Sequence, residues 1–596
     1  MENLDRGALA VRTNEKEVLV SWRILASEFE NGSYNIYRGS KKLNSKPITG
    51  ASNYIDLTTS NELYSVSVII NGKEQEPSKP IEVWNNIYKK IPISAPKGGT
   101  TPDGKEYKYT ANDASVGDLD GDGQYEIVLK WTPTNSHDNS HKGYTGNTIL
   151  QGLEMDGTVL WTIDLGKNIR SGAHYTQFMV YDLDGDGKAE IACKTADGTT
   201  DEAGTILGDA NADFRSENGY VLEGSEYLSL FSGKTGAFLA TQNYIPARGN
   251  ISDWGDNYGN RVDRFLACVA YLDGKRPSLV FARGYYTRTV LAAYNYREGK
   301  LETYWVFDSD EKGNEAYSGQ GNHSITVGDV DGDGKDEIQY GSCAIDDDGM
   351  GLYSTGFGHG DASHLGDFDP TRKGLEYFMV HEEANNSDVP QIDYRDPKTG
   401  EVFWKVDGKG DIGRGVIADI DPNHLGGEMW ASNGSGIHNI KGDVISTIYP
   451  TAGERGSSFN MFAWWDGDLL REIVDKTSIT KWNAGKKETD MLLKASEYDG
   501  MSLRSNNRSK SNPCLIADIL GDWREEIIWR NDENTELVIF STPHHTTERI
   551  FTLMHDPLYR TSIVWQNVAY NQPAHTGFYL GHGMAKPAVP KIKLTK

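Results

Sequence analysis

A nine-residue acidic signature recurs along this 596-residue chain and leads each time into a short apolar run. Asp118, Asp120, Asp122 and Glu126 stand at positions 1, 3, 5 and 9 of DLDGDGQYE, Asp182, Asp184, Asp186 and Glu190 in DLDGDGKAE, and Asp329, Asp331, Asp333 and Glu337 in DVDGDGKDE. The runs that follow, IVLKW, IACKT and IQYGS, have the length and residue types of buried strands. Degenerate copies at Asp273, Asp367, Asp419, Asp466 and Asp518 keep an acidic start, a turn and a strand, which makes eight copies at uneven spacing. One such unit cannot bury its apolar face alone, and a unit of roughly 40 to 50 residues with several strands is one blade of a propeller. The expectation is an all-β fold with an eight-bladed β-propeller over residues 86–596. The longer early intervals imply loops inserted on one face, where they build a binding site.

Residues 1–85 read differently. Val18–Trp22, Tyr34–Arg38 and Tyr64–Val68 alternate apolar and polar residues at sandwich-like intervals, which predicts a small fibronectin-III-like β-sandwich ahead of the propeller. The net charge of -26 argues against nucleic acid or an anionic membrane as partner. No apolar stretch approaches the roughly 20 residues that span a bilayer, and the first residues do not open a signal peptide. Cys193, Cys268, Cys343 and Cys514 lie far apart without metal-ligand spacing, and read as buried small hydrophobes.

In the three full copies the carboxylates, with glycines that let the backbone fold around an ion, suit Ca2+ and its six to eight hard oxygen ligands. Strands follow rather than a helix, so each ion clips a turn and need not touch substrate. His323 in GNHSIT, His359 and Asp361 in GFGHGDASH, and Glu382 in VHEEANN form a second group. Histidine suits transition metals better than calcium, so these types alone point to zinc, manganese or an acid/base pair. Arg414 in DIGRG and Lys510 in SNNRSKSNP precede their repeats at equivalent places, which open on one face of a propeller. Asn112 and Tyr570 sit near the two ends of the ring, where closure makes them neighbours.

The stretches NDASVGDLDGDGQYE, SGAHYTQFMVYDLDGDGKAE, NYGNRVDRFLA, GQGNHSITVGDVDGDGKDE, GFGHGDASH, GDWREE and LMHDPLYR resemble the rhamnogalacturonan lyases of polysaccharide lyase family 11 over nearly the whole chain. The resemblance implies a secreted, periplasmic or cell-surface enzyme, monomeric and calcium-binding, that cleaves the rhamnose-galacturonate linkage of rhamnogalacturonan I, an acidic plant cell-wall polysaccharide, by β-elimination. It places a cleft metal on His323, His359, Asp361 and Glu382, with calcium expected and a transition metal still open. Lys510 and Arg414 become the cationic active-site pair, and Asn112, Asn507, Ser509 and Tyr570 the sugar contacts. Two positions depart from the family pattern: Thr132, where an acidic residue is expected, and Arg508, where a glycine is expected.

The chemistry agrees with that assignment. A C5 proton beside a uronate carboxylate leaves only when charge developing on that carboxylate is neutralised. Lys510 is expected as base and Arg414 as carboxylate clamp, with reversed roles open. The rival readings are a non-catalytic calcium-dependent ligand-binding propeller and a glycoside hydrolase with paired carboxylates. Chain-end preference rests on residues 445–457, ISTIYPTAGERGS, where a loop over the cleft would give exo-action and an ordinary surface excursion endo-action; endo is favoured.

Overall fold

Alternating residues at Glu17–Ser21, Ser33–Arg38 and Tyr64–Ile70 form strands with one face turned inward, as the pattern predicts. In the computed structural model, which describes residues 1–382, 388–451 and 456–595, the first 84 residues build two four-stranded sheets. One runs Asn53–Leu57, Glu17–Ser21, Leu9–Asn14, Val83–Trp84, and the other Lys41–Lys42, Ser33–Arg38, Tyr64–Ile70, Lys73–Glu74. Trp22, Tyr34, Ile36 and Val66 fill the space between them, and Phe551 from the far end of the chain completes that core.

From Tyr109 onward eight sheets follow one another in chain order, seven of them four-stranded antiparallel meanders. Their first strands are Tyr109–Gly117, Phe178–Tyr181, Phe265–Ala270, Thr326–Gly328, Gly360–Gly366, Gly415–Ala418, Met461–Ala463 and Leu515–Ala517. The first six of these touch in sequence, and the first also touches the eighth. The eighth sheet is completed by Tyr88–Pro92, which precedes the first sheet in the chain and pairs antiparallel with Glu536–Phe540. That strand ties the two ends of the array together and covers an edge that would otherwise be open.

The architecture is all-β, with one α-helix among the described residues, Pro557–Trp565. Asp556 caps it by accepting the Tyr559 N–H at 2.8 Å, and Pro557 takes the first helical position, where no N–H is needed. The helix packs against the first strands of sheets one to four and is buried from Leu558 to Trp565. A helix enclosed on all sides has no amphipathic stripe to betray it in the sequence.

Ladder register corrects two of the eight acidic starts. In the full copies the last residue of the first strand pairs with the loop glutamate, as in Gly117↔Glu126, and the next residue is position 1. By that rule Asp367, Asp419 and Asp518 are position 1, but in the third and seventh sheets position 1 is Tyr271 and Trp464. Asp273 and Asp466 therefore stand at position 3. All four cysteines are buried free thiols, as expected.

Candidate active site

Seven sheets present a side chain at the entrance of the first strand or in the segment leading into it, His174, Arg264, His323, the His359–Asp361 pair, Arg414, Asn460 and Lys510 in chain order, and the first sheet presents Asn112 from within Tyr109–Gly117. The acidic loops follow the exits of those same strands. The two groups thus occupy opposite ends of the sheets, and the loops do not reach the candidate site.

At the loops, Asp118 Oδ1 accepts the Gly121 N–H at 2.7 Å and Oδ2 the Gly123 N–H at 2.9 Å, while Glu126 accepts the Leu119 N–H at 2.7 Å. Asp182 and Asp329 repeat this with Gly185 and Gly187, and with Gly332 and Gly334; Glu190 and Glu337 accept from Leu183 and Val330. Asp118, Asp120 and Asp122 converge, as do Asp182, Asp184 and Glu190, and Asp329, Asp331 and Asp333, with ligand atoms within 4.8 Å of one another. Asp186 falls outside its group, Glu126 closes its loop through backbone, and Glu337 groups instead with Asp346 and Asp347. Burial raises Glu126 to about 8 and Glu190 and Glu337 to about 9. The buried Oε1 of Glu337 has no hydrogen-bond partner, nor do those of Glu376 and Glu428. Such oxygens fit a bound cation.

His323, His359, Asp361 and Glu382 also converge, with ligand atoms within 4.8 Å. His359 Nδ1 lies 2.7 Å from the Gly321 carbonyl, so it carries the proton and leaves a lone pair on Nε2. That Nε2 faces Glu382 Oε2 at 3.2 Å, and neither atom has a hydrogen-bond partner. His323 Nε2 lies 3.3 Å from Asp361 Oδ1 and 3.0 Å from the Tyr286 hydroxyl. Burial holds both imidazoles below their usual range, the His323 ring well below it, and lifts Asp361 to about 7. Neutral imidazoles aimed at carboxylates across a gap with no shared proton fit a metal ion between them.

Tyr570 joins this cluster to the cations. Its N–H donates to the His323 carbonyl at 3.0 Å, and its ring stacks on His323 with centroids 4.2 Å apart and planes 11° from parallel. Lys510 Nζ sits 3.2 Å from the same ring centroid and Arg414 Cζ 5.5 Å from it. Burial, and then the Arg414 charge, lower Lys510 to about 7. Arg414 is oriented by Asn460 Oδ1, which accepts its Nε–H at 3.1 Å, and Asn460 is held by Asp475 at 3.2 Å.

The predicted sugar contacts flank the pair. Asn112 donates to Asn507 Oδ1 at 3.1 Å, and the Asn507 amide donates to Asp113, Asn512 and Asn571 at 3.0 to 3.1 Å. Ser509 is exposed beside Lys510. Asn507 and Arg508 both have positive φ, 56° and 53°, so the expected glycine at 508 has a backbone reason, and arginine takes that shape at a cost. Thr132 lies opposite Thr110 in the first sheet.

Sequence reasoning missed His174, Arg261, Arg264, Tyr285, Tyr286 and Asn460. Arg261 stacks 3.7 Å over Tyr286, Arg264 lies 3.6 Å from Asp138, and the Tyr285 hydroxyl lies 3.2 and 3.1 Å from His174 and His323. The usable signal was position, because His174, Arg264 and Asn460 precede their first strands just as Arg414 does. Asp138 and Arg261 arrive on long excursions of the early sheets, where the interval lengths place inserted loops. For residues 445–457, 452–455 lie outside the described residues; Thr451 bridges Ser457, and its N–H donates to Thr489 on the outermost strand of the seventh sheet.

Comparison with known proteins bears on the whole chain. The model of the C-terminal domain of rhamnogalacturonan lyase family 11 matches residues 88–590, and that of the beta-sheet domain of rhamnogalacturonan I lyases matches residues 1–84. The chain is 54% identical over 593 residues to the rhamnogalacturonan endolyase YesW of Bacillus subtilis (strain 168), covering 99% of this chain and 93% of that protein. It is 53% identical over 608 residues to the rhamnogalacturonan exolyase YesX of the same organism, covering 99% and 97%. The crystal structure of YesW aligns with a TM-score of 0.96 over 100% of this chain and 99% of that one. A Bacillus licheniformis rhamnogalacturonan lyase aligns with the same TM-score at 57% identity, over 100% and 99%. On this full-length match in sequence and in fold, the chain belongs to rhamnogalacturonan lyase family 11.

Proposed function

We propose that this protein is a rhamnogalacturonan lyase that opens the rhamnose-galacturonate linkage of rhamnogalacturonan I by β-elimination, with Lys510 as base and Arg414 as carboxylate clamp. The observation that carries this is the pair of cations over one tyrosine ring, with Lys510 tuned to about 7 at the rim of the His323/His359/Asp361/Glu382 cluster. A neutral Lys510 amine takes the C5 proton of the galacturonate. The C5–H electron pair becomes the C4=C5 double bond as the C4–O bond to rhamnose breaks. Arg414, held by Asn460, is assigned to the carboxylate onto which charge spreads. A cation on the four-residue cluster supplies Lewis-acid neutralisation of that carboxylate when bound. Asn112, Asn507, Ser509 and Tyr570 are assigned to the sugar rings flanking the bond.

In this reading residues 1–85 are a fibronectin-III-like module and 86–596 an eight-bladed propeller, supported by the eight successive sheets and by the strand that closes the last on residues 88–92. Calcium is assigned to the acidic loops and the cleft; metal analysis distinguishes it from a transition metal, which the two histidines also suit. The protein acts outside the cytoplasm, as a monomer, on pectic polymer. Endo-action is assigned because Thr451, within the 445–457 excursion, is tied to Thr489 on the outermost strand of the seventh sheet; a rapid fall in viscosity supports it, and steady release of disaccharide at unchanged viscosity refutes it. Mass spectrometry of the products tests the reaction itself: elimination gives oligosaccharides one water lighter than those of a hydrolase, and saturated products alone would overturn the proposal.

A further inference from the structure

In every sheet the loop glutamate, or the residue in its place, opens the second strand, and ladder register fixes which third-strand residue lies across from it. Glu154, Asp346 and Asp396 hold that place in the first, fourth and fifth sheets, and asparagine or serine holds it in four others. The seventh sheet alone places a cation there: Ile473↔Thr480 sets Lys481 across from Glu472. An oxygen-bearing side chain adds a ligand to a cation, whereas an ammonium takes the place of the cation.

The contacts around Lys481 match the second case. Its Nζ lies 2.5 Å from Asp466 Oδ2, 2.7 Å from Asp468 Oδ2 and 3.0 Å from Glu472 Oε1. The corresponding glutamate oxygen is buried without a hydrogen bond in the fourth, fifth and sixth sheets, with Arg372 at ion-pair distance (3.7 Å) in the fifth, but in the seventh it accepts a hydrogen bond from Lys481. The loop has also lost its position-1 carboxylate. Trp464 stands there, its ring 4.0 Å from the Arg471 guanidinium and its backbone N–H donating to Glu525 Oε2 at 3.0 Å. Three carboxylates around one tethered ammonium form a charge-assisted cluster that needs no ion from solution.

We propose that Lys481 is the resident cation of the seventh acidic loop, so that this loop takes no metal ion and replacing Lys481 with a neutral residue opens a divalent-cation site. This deepens the reading of the other loops as ion sites, and a difference measurement separates the two. Calcium bound per chain is counted by equilibrium dialysis for the full-length wild type, Lys481→Gln, and Asp468→Asn in the wild-type background, with Asp333→Asn as the comparison in the fourth sheet. Lys481→Gln is expected to bind one calcium more than wild type and to recover, on adding calcium, melting temperature lost in chelator. Asp468→Asn is expected to leave the count unchanged, while Asp333→Asn loses one. A folded Lys481→Gln with the wild-type count overturns the proposal, as does loss of an ion in Asp468→Asn, which needs no Lys481 variant to fold. A wild-type count of zero would instead sink the ion reading of the full copies, with the difference between Lys481→Gln and wild type still deciding the role of Lys481.

Discussion

Replacing Arg414 by glutamine tests how the site keeps a lysine deprotonated near neutrality. Lys510 is lowered from an ordinary 10.5 to about 7, first by burial and then by the Arg414 charge. At the ordinary value roughly one lysine in 3,000 is neutral at pH 7, against about half at the lowered one. Nζ of Lys510 and Cζ of Arg414 lie 3.2 and 5.5 Å from the same ring centroid, so the two charges are within about 9 Å of each other. At an effective dielectric near 20 that separation gives a repulsion of at least about 2 kcal/mol, or roughly one pH unit. With the neutral Lys510 amine as the proposed base, kcat/KM should fall about tenfold per pH unit below the Lys510 midpoint and level off above it. Arg414→Gln should lower the plateau and move the acid limb up by about one pH unit, while Arg414→Lys keeps the limb near its wild-type place. Initial rates from ultraviolet absorbance of the unsaturated product, across pH 5 to 10, give both quantities. An acid limb with the same midpoint in Arg414→Gln as in wild type would refute the coupling, and one that persists in Lys510→Ala would remove Lys510 as its source.

Three further outcomes are expected. Without metal, Glu126, Glu190 and Glu337 have folded values of about 8 to 9 against 4.5 unfolded, so the folded state holds extra protons between those limits and loses stability as pH rises through them. Melting temperature in chelator should therefore decline from pH 5 to 9, and saturating calcium should remove the decline; equal slopes with and without calcium count against the loop sites. Tyr570→Phe keeps the ring on which both cations rest and should stay within a few-fold of wild-type kcat, whereas Tyr570→Ala should lose at least tenfold through misplacement of Lys510, read as kcat against KM. Phe551→Ala removes a fully buried ring from between the two N-terminal sheets, packed 5.4 Å from Phe29, and should cost about 3 to 5 kcal/mol in denaturant unfolding.

Much of the architecture was legible because its signals are local. Three full acidic loops announce themselves through glycines that must adopt positive φ between spaced carboxylates, and the strands after them are plain apolar runs. Tyr271 and Trp464 were mislocated because the aspartate two residues on looks like an acidic start, and only ladder pairing shows which residue follows the first strand. The helix Pro557–Trp565 left no periodicity because every side of it is covered. At the site, histidines and isolated cations stood out against an acidic chain, while Asn460 and Arg264 did not. Their importance comes from what they touch, Arg414 in one case and Asp138 in the other, and those partners lie 46 and 126 residues away in the chain.

The most direct test follows polymeric rhamnogalacturonan I with wild-type protein and measures, in the same time course, ultraviolet absorbance of unsaturated galacturonyl ends and the number of new reducing ends. Elimination at the Lys510/Arg414 site predicts one absorbing end for every reducing end, with both signals lost together in Lys510→Ala. Reducing ends that accumulate without absorbance, or absorbance undiminished in Lys510→Ala, would contradict it.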